Sequence, residues 1–259
     1  MENVWRFSDV EFVAFVESAG LPCLPRPLVF TSRTLLWDDY LVEKSTAAVR
    51  AREILGPSTA PVSQALVQPD VRVVMQSWDA RNPANPQRST RLYGVRCGDY
   101  GYVVEQLPGE THYHSGGFVV TECPAVALSN TLVSLMPEAK AGGLGEMILR
   151  HESDGYDYSY GRSVALRPVN DTEEDRMQSF LDADVVAVGV VETEQGWSRF
   201  GPRAVVKHSF VWRDLANDGR YVLRFDNPPT VTAADESYLI SSINSDIARV
   251  VSAIKDERR

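Results

Sequence analysis

The stretch PDVRVVMQSWD, residues 69–79, is echoed in pattern by ADVVAVGVVET, residues 183–193. Both are rich in the apolar and β-branched residues that favour strands. Val71, Val73 and Met75 alternate only loosely with Arg72 and Gln76, so the second face of that strand is partly covered too. The segments downstream of each stretch are matched as well. After the first come RLYGVRC (91–97), GDYGYVVEQ (98–106), GFVVT (117–121) and the helical run PAVALSNTLVSLM (124–136). After the second come RAVVKHSFVW (203–212), GRYVLRF (219–225), PTVT (229–232) and AADESYLISSINSDIARVVSAI (233–254). Each copy is several strands closed by one amphipathic helix. Two copies are too few for a solenoid, which generally needs at least three. The expected body is therefore one pseudo-symmetric domain over 1–259, with two half-sheets side by side. Its halves are expected at about 1–140 and 165–259, with 137–171 as the connector.

Composition narrows the function classes. With 259 residues the chain is long enough to bury a sizeable core without staples. Its net charge of −9 argues against nucleic acid or an anionic membrane surface as main partner, because both require a basic face. Cys23, Cys97 and Cys123 are an odd number with no close spacing, and they read as reduced thiols of a cytosolic protein. The N-terminal MENVWRFSDVEF carries acids early and lacks the apolar stretch of a secretory leader. The longest apolar run, 185–191, is broken by Gly189 and is far short of a membrane span.

Local signals place the helices. Ser8 and Glu11 form a capping-box pattern opening a helix that carries Phe12, Val13, Phe15, Val16 and Ala19 and stops at Gly20. Pro22, Pro25 and Pro27 keep the next segment extended. A second helix is expected over 38–55, ended by Gly56-Pro57, and short ones over 61–67 and 172–182. Gly98-Asp99 and Gly116-Gly117 mark chain reversals. The last helix is expected to be capped at Thr232 and to bury Ile240, Ile243, Ile247, Val250, Val251 and Ile254, leaving the tail KDERR solvated.

Catalytic chemistry is sparsely represented. His112 and His114 would share one face of a strand and could bind one metal, with Glu110 or Glu122 as a third ligand. Their setting, PGETHYHSGG, reads instead as an exposed loop, and no metal is expected. Cys97 and His208 are conceivable as a nucleophile and base, though sheet packing explains both more simply. AGGLGEM (141–147) misses the register of a dinucleotide turn and reads as a flexible connector. The tyrosine-rich GYDYSYGR (155–162) has the composition of a binding surface and equally of an ordered loop.

The order of these parts carries a resemblance. LPCLPRPL (21–28), QPDVRVVM (68–75), RLYGVRCGDYGYVVEQLPG (91–109), CPAVALSNTLVSLMP (123–137) with AGG behind it, and GRYVLRF with PTVTAADESYLISSI together resemble the EspG family, over roughly residues 7–254. Members of that family are cytosolic chaperones of type VII (ESX) secretion systems in mycobacteria and related actinobacteria. The resemblance implies an α/β fold of the α+β type, with two quasi-symmetric halves sharing a central, mainly antiparallel sheet with helices packed on it. It implies a chaperone or adaptor with no enzymatic activity and no cofactor. Its client would be a PE–PPE heterodimer, gripped at the PPE tip and kept soluble for secretion, and components of the secretion machinery are further partners. The runner-up is a small-molecule or metal-dependent enzyme with a pocket between the halves.

Residue types suggest where a client would dock. The gap 192–203 carries Trp197 and Phe200 beside Arg199 and Arg203, and Trp and Arg are frequent interface hot spots. Tyr238 and Leu239 sit off the isoleucine stripe of the last helix. These six residues are the expected partner surface, on the second-half sheet and last helix. The alternative is that Trp197 and Phe200 pack back onto the core.

Overall fold

In the computed structural model, which describes residues 3–149 and 173–259, the two matched stretches become neighbouring strands at the centre of one sheet. The strands are β1 (Val4–Phe7), β2 (Val71–Asp79), β3 (Thr90–Cys97), β4 (Tyr100–Pro108), β5 (Ser115–Pro124), β6 (Met147–Ile148), β7 (Val185–Gln195), β8 (Lys207–Leu215), β9 (Arg220–Arg224) and β10 (Thr230–Ala233). Their order across the sheet is β1-β5-β4-β3-β2-β7-β8-β9-β10-β6. Every pairing is antiparallel. Outward from the β2–β7 seam, the halves run alike. Each has a central strand, three strands that follow it in sequence order, and an edge strand that precedes the central strand in the chain. The seam is continuous, from Val71 opposite Gln195 to Asp79 opposite Ala187.

The helices are α1 (Asp9–Ser18), α2 (Trp37–Leu55), α3 (Thr59–Val67), α4 (Leu128–Ser134), α5 (Glu173–Asp182) and α6 (Glu236–Glu257). One sheet face is covered at its centre by α4 and α6. Leu128, Leu132, Leu239, Ile243 and Val250 pack there on Val71, Val73, Met75, Val191, Phe210 and Trp212. Each of these side chains is essentially fully buried. At ~1.5–3 kcal/mol per buried large apolar side chain, this layer is a main source of stability. The other face is covered over the first half by α1–α3, whose Phe12 and Phe15 meet Phe7, Tyr93, Tyr102 and Phe118. Over the second half it is covered by α5, whose Phe180 meets Leu215, Tyr221, Leu223 and Val231. Because β2 is packed on both faces, its sequence alternates only loosely.

Several local expectations meet the structure directly. Ser8 caps α1, with Glu11 reaching back to the Ser8 amide at 2.8 Å. Gly98 turns between β3 and β4 at φ 61°, where a side chain would be strained.

Others are corrected. The reversal expected at Gly116-Gly117 lies at 109–114, and both glycines belong to β5, where a Cβ on Gly117 would stand 2.7 Å from the Phe7 carbonyl. The cap of α6 is Asp235, which accepts from the Tyr238 amide at 2.8 Å, while Thr232 is in β10. The AGGLGEM segment is not slack. Gly143 donates to Asp218 at 2.7 Å and Leu144 to the Tyr221 hydroxyl at 2.9 Å, and a Cβ on Gly142 would stand 2.0 Å from the Tyr221 ring. The tyrosine-rich 155–162 lies outside the described residues. The strand β1 was not expected, being too short and mixed in polarity to register as a pattern.

Candidate partner surface

The β7–β8 hairpin loop, 196–206, is built around buried polar side chains. Gln195 ends β7 almost fully buried, and its side-chain amide donates to the Trp197 carbonyl at 2.7 Å. Gly196 comes next because nothing larger fits: a Cβ there would meet the Pro69 carbonyl oxygen at 1.7 Å. Its amide donates to the Asp70 carbonyl at 2.9 Å, seating the loop against the start of β2. Ser198 is buried, and its hydroxyl donates to Glu257 at 2.8 Å. The Arg199 amide donates to the other oxygen of Glu257 at 3.2 Å, and the Arg199 guanidinium to the Glu257 carbonyl at 2.7 Å. The last turn of α6 thus holds the loop from below.

The outcome is two large apolar side chains presented to water on a tied backbone. Trp197 is 72% exposed and Phe200 69%. They do not pack back onto the core. The Arg199 guanidinium lies 5.3 Å from the Phe200 ring centre, a cation–π distance. Beside Trp197 is a cleft of about 480 Å³ lined by Val67, Pro69, Asp70, Ile254 and Arg258. The Glu257 carboxyl is pushed up by burial but pulled further down by hydrogen bonds from Ser198 and Gln195, the Arg199 amide and the Arg199 charge. Its net position is below the ordinary carboxylate range, so it is ionised at neutral pH and the tie is charge-assisted.

The six expected residues do not form one patch. Trp197, Arg199, Phe200 and Arg203 share the loop, at the C-terminal end of α6. Tyr238 and Leu239 are at the other end of that helix, ~28 Å away at 1.5 Å per residue. Leu239 is fully buried against the sheet and offers no surface. The buried stripe runs Leu239, Ile243, Ile247, Val250, in steps of four, four and three, so Leu239 takes the place expected for Ile240. Tyr238 is half-buried, packed on the same layer. Nor does α6 share a free face with the sheet. It covers one side of β7, whereas half-buried Val188 and Val190 lie on the other.

The remaining chemical candidates separate in space. Cys97 on β3 and His208 on β8 are three strand spacings apart and three residues out of register, ~17 Å in all. Burial, with Asp70 nearby, pushes the Cys97 thiol up, away from a reactive thiolate. Thr111 and His114 Nδ1 are hydrogen-bonded at 2.8 Å in the 109–114 loop. Glu110 is gripped by Arg33 at 2.6 and 2.9 Å and Glu122 accepts from Asn3 at 2.6 Å, and among the described residues no group of three or more His, Cys, Asp or Glu could hold a metal ion. On the seam between the halves is a cleft of about 240 Å³ lined by Arg26, Val74, Gln76, Val190 and Glu192. Its carboxylate, Glu192, is paired with Arg26 at 3.2 Å and Lys207 at 2.8 Å.

Residues 8–244 match the model of the EspG family. The chain belongs to the EspG family. No curated protein matches it. Among solved structures it is similar to the Mycobacterium tuberculosis type VII secretion system chaperone EspG5 in complex with the PE25-PPE41 dimer. The TM-score is 0.53 at 10% identity, with 95% of this chain and 96% of that chain covered. The mixed α/β fold with a large antiparallel sheet is thus the EspG fold. No helix among the described residues is long and apolar enough to cross a membrane.

In this EspG chain the residues that sequence reasoning missed are the positioning ones. Gln195, Ser198 and Glu257 hold the loop, yet Ser198 and Glu257 are 59 positions apart and no spacing rule joins them. The tail read as solvated supplies Glu257, and its Arg258 reaches Asp70 at 3.5 Å.

Proposed function

We propose that this chain is a chaperone of a type VII secretion system that binds a PE–PPE heterodimer through the PPE protein and keeps it soluble for secretion. The observation that carries this reading is the family match over residues 8–244. The work is non-catalytic and needs no cofactor. It is done in the cytosol, before export. The client docks on the 196–206 loop, with Trp197 and Phe200 as anchors and Arg199 and Arg203 at the rim. The physical support is the loop's construction. Holding two aromatic side chains in water is unfavourable for an isolated protein, and aromatic residues beside Arg are what interfaces bury at their centres. Because the backbone is already tied through Gln195 and Glu257, little further ordering is required on binding.

The test is co-expression with a PE–PPE pair encoded near this chain. The expected result is a soluble ternary complex that co-elutes, with the PPE protein insoluble when this chain is omitted. A PPE protein equally soluble without this chain, and no co-elution, would refute the reading.

A further inference from the structure

The turn between β3 and β4 stands at the same end of the sheet as the 196–206 loop, since Arg96 and Gln195 both lie opposite Val71. One residue joins the two. The Asp70 amide donates to the Arg96 carbonyl at 2.8 Å, and the Asp70 carboxylate accepts from the Gly98 amide at 2.8 Å. The Asp70 carbonyl accepts from the Gly196 amide at 2.9 Å. Both turns are therefore fixed to the residue just before β2. A further link runs outward. The Ala125 amide donates to the Asp99 carbonyl at 2.9 Å, which seats the single 3-10 turn Ala125–Ala127 beside the β3–β4 turn.

These tied backbones display apolar side chains. Tyr100 is 58% exposed and Val126 84%. Exposed Pro124 lies opposite Tyr100 in the register. Single apolar residues scattered over a surface are ordinary. Tyr100 and Val126 are not scattered in that sense, because the ties at Asp99 and Asp70 connect them to the loop that shows Trp197 and Phe200. The charged groups among them have both signs. Arg96 donates to the Gly98 carbonyl at 3.2 Å, Arg258 reaches Asp70 at 3.5 Å, and Asp99 is exposed at the turn. Two acids and two bases make no one-signed field there, so apolar contact decides what fits.

We infer that the client's footprint continues from the 196–206 loop across the β3–β4 turn to Val126, with Asp70 setting the second patch against the first. The inference rests on the client-binding reading above. Area is the reason that the loop alone does not suffice. Trp197 and Phe200 can each bury at most ~250 Å², ~500 Å² together, against ~800 Å² per partner in a standard interface. Tyr100, Pro124 and Val126 extend the contact from β7 to β5, four strand spacings or ~19 Å. Both patches are on main chain that is already hydrogen-bonded, so neither needs ordering when the client arrives. Asp70 is a positioning residue: its carboxylate acts through the Gly98 amide.

Calorimetric titration of the full chain with the PE–PPE dimer encoded near it tests this, with Trp197→Ala as the reference. Tyr100→Ala combined with Val126→Ala should weaken binding at least fivefold, with the melting temperature nearly unchanged because both sites are exposed. Asp70→Ala should also weaken binding, while Asp70→Asn, whose amide oxygen still accepts from Gly98, should bind as wild type does. Added to the Tyr100/Val126 pair, Asp70→Ala should cost nothing further, because it acts through that patch. A smaller loss for the pair, with Trp197→Ala still weakening binding, would overturn the wider footprint and leave the client reading standing. Losses that add, or an Asp70→Asn variant as weak as Asp70→Ala, would overturn the positioning role. A wild type that does not bind would overturn the client reading and this inference with it.

Discussion

The hairpin loops 80–89 and 196–206 occupy matching places, each joining the central strand of its half to the next strand outward. Each also reaches the acid that opens the other matched stretch: Arg81 pairs with Asp184, and the Gly196 amide donates to the Asp70 carbonyl. Both are held by a carboxylate. Asp79 accepts from the Arg81 amide at 2.8 Å, the Asn82 amide at 3.2 Å and the Arg88 guanidinium at 3.2 Å. Glu257 does the same for the second loop from a helix instead of from the loop's own strand. The difference is in what is displayed. The first loop, ARNPANPQRS, shows water only polar groups, prolines and alanines, while the second shows Trp197 and Phe200. A pseudo-symmetric frame thus supplies two rigid platforms, and only one carries residues suited to an apolar client.

The largest expected effect falls on Gly196. Its Cβ would collide with main chain, which cannot swing aside, so Gly196→Ala should cost about 3 kcal/mol or more of stability. Asn82→Ala in the first loop, exposed and hydrogen-bonded only through its main chain, to Asp79 and Asn85, should stay within about 0.5 kcal/mol. Urea melts of the two variants measure the contrast, and equal losses would remove the asymmetry in backbone constraint.

Next come the displayed side chains. Trp197→Ala and Phe200→Ala should each weaken client binding by about 2 kcal/mol or more, while leaving the melting temperature nearly unchanged because both are exposed. Arg81→Ala and Arg88→Ala should leave binding intact. Calorimetric titration against a purified PE–PPE dimer reads both arms. Binding lost in the first-loop variants and kept in the second-loop ones would reverse the assignment.

The smallest effect is the pH dependence that both loops share. Asp79 is held below the ordinary carboxylate range chiefly by the Arg81 amide, with the Asn82 amide and Arg88 adding to it. Glu257 is also low. A carboxylate with a depressed folded-state pKa contributes stability that is complete above its unfolded value, about 4, and is lost as pH falls through the folded value. Asp79→Asn and Glu257→Gln should therefore flatten the stability curve below about pH 4 and leave its slope at neutral pH unchanged. An unaltered acid limb in both variants would mean that these ties do not titrate with folding.

How far the sequence revealed this depended on whether the signal was local. The pairing of the two copies was legible from matched strand order, and α1 from Ser8 and Glu11, because both are short-range patterns. The side to which a loop aromatic points is decided by distant partners. Trp197 and Phe200 were readable as residues of interest, but their exposure results from Gln195, Ser198 and Glu257 clamping the main chain. Leu239 was misplaced because one helical position, 100° of rotation, separates a buried stripe from its rim. The glycines at 142 and 143 looked like slack, since a sequence does not show the Tyr221 ring packed against the first or Asp218 bonded to the second.

The most direct test of the central claim is hydrogen exchange of this chain, free and saturated with its PE–PPE dimer. The account predicts added protection in 196–203 and in the last turn of α6, with no change in 80–89. Protection confined to 80–89, or absent from 196–203 in a complex shown to be formed, would contradict it.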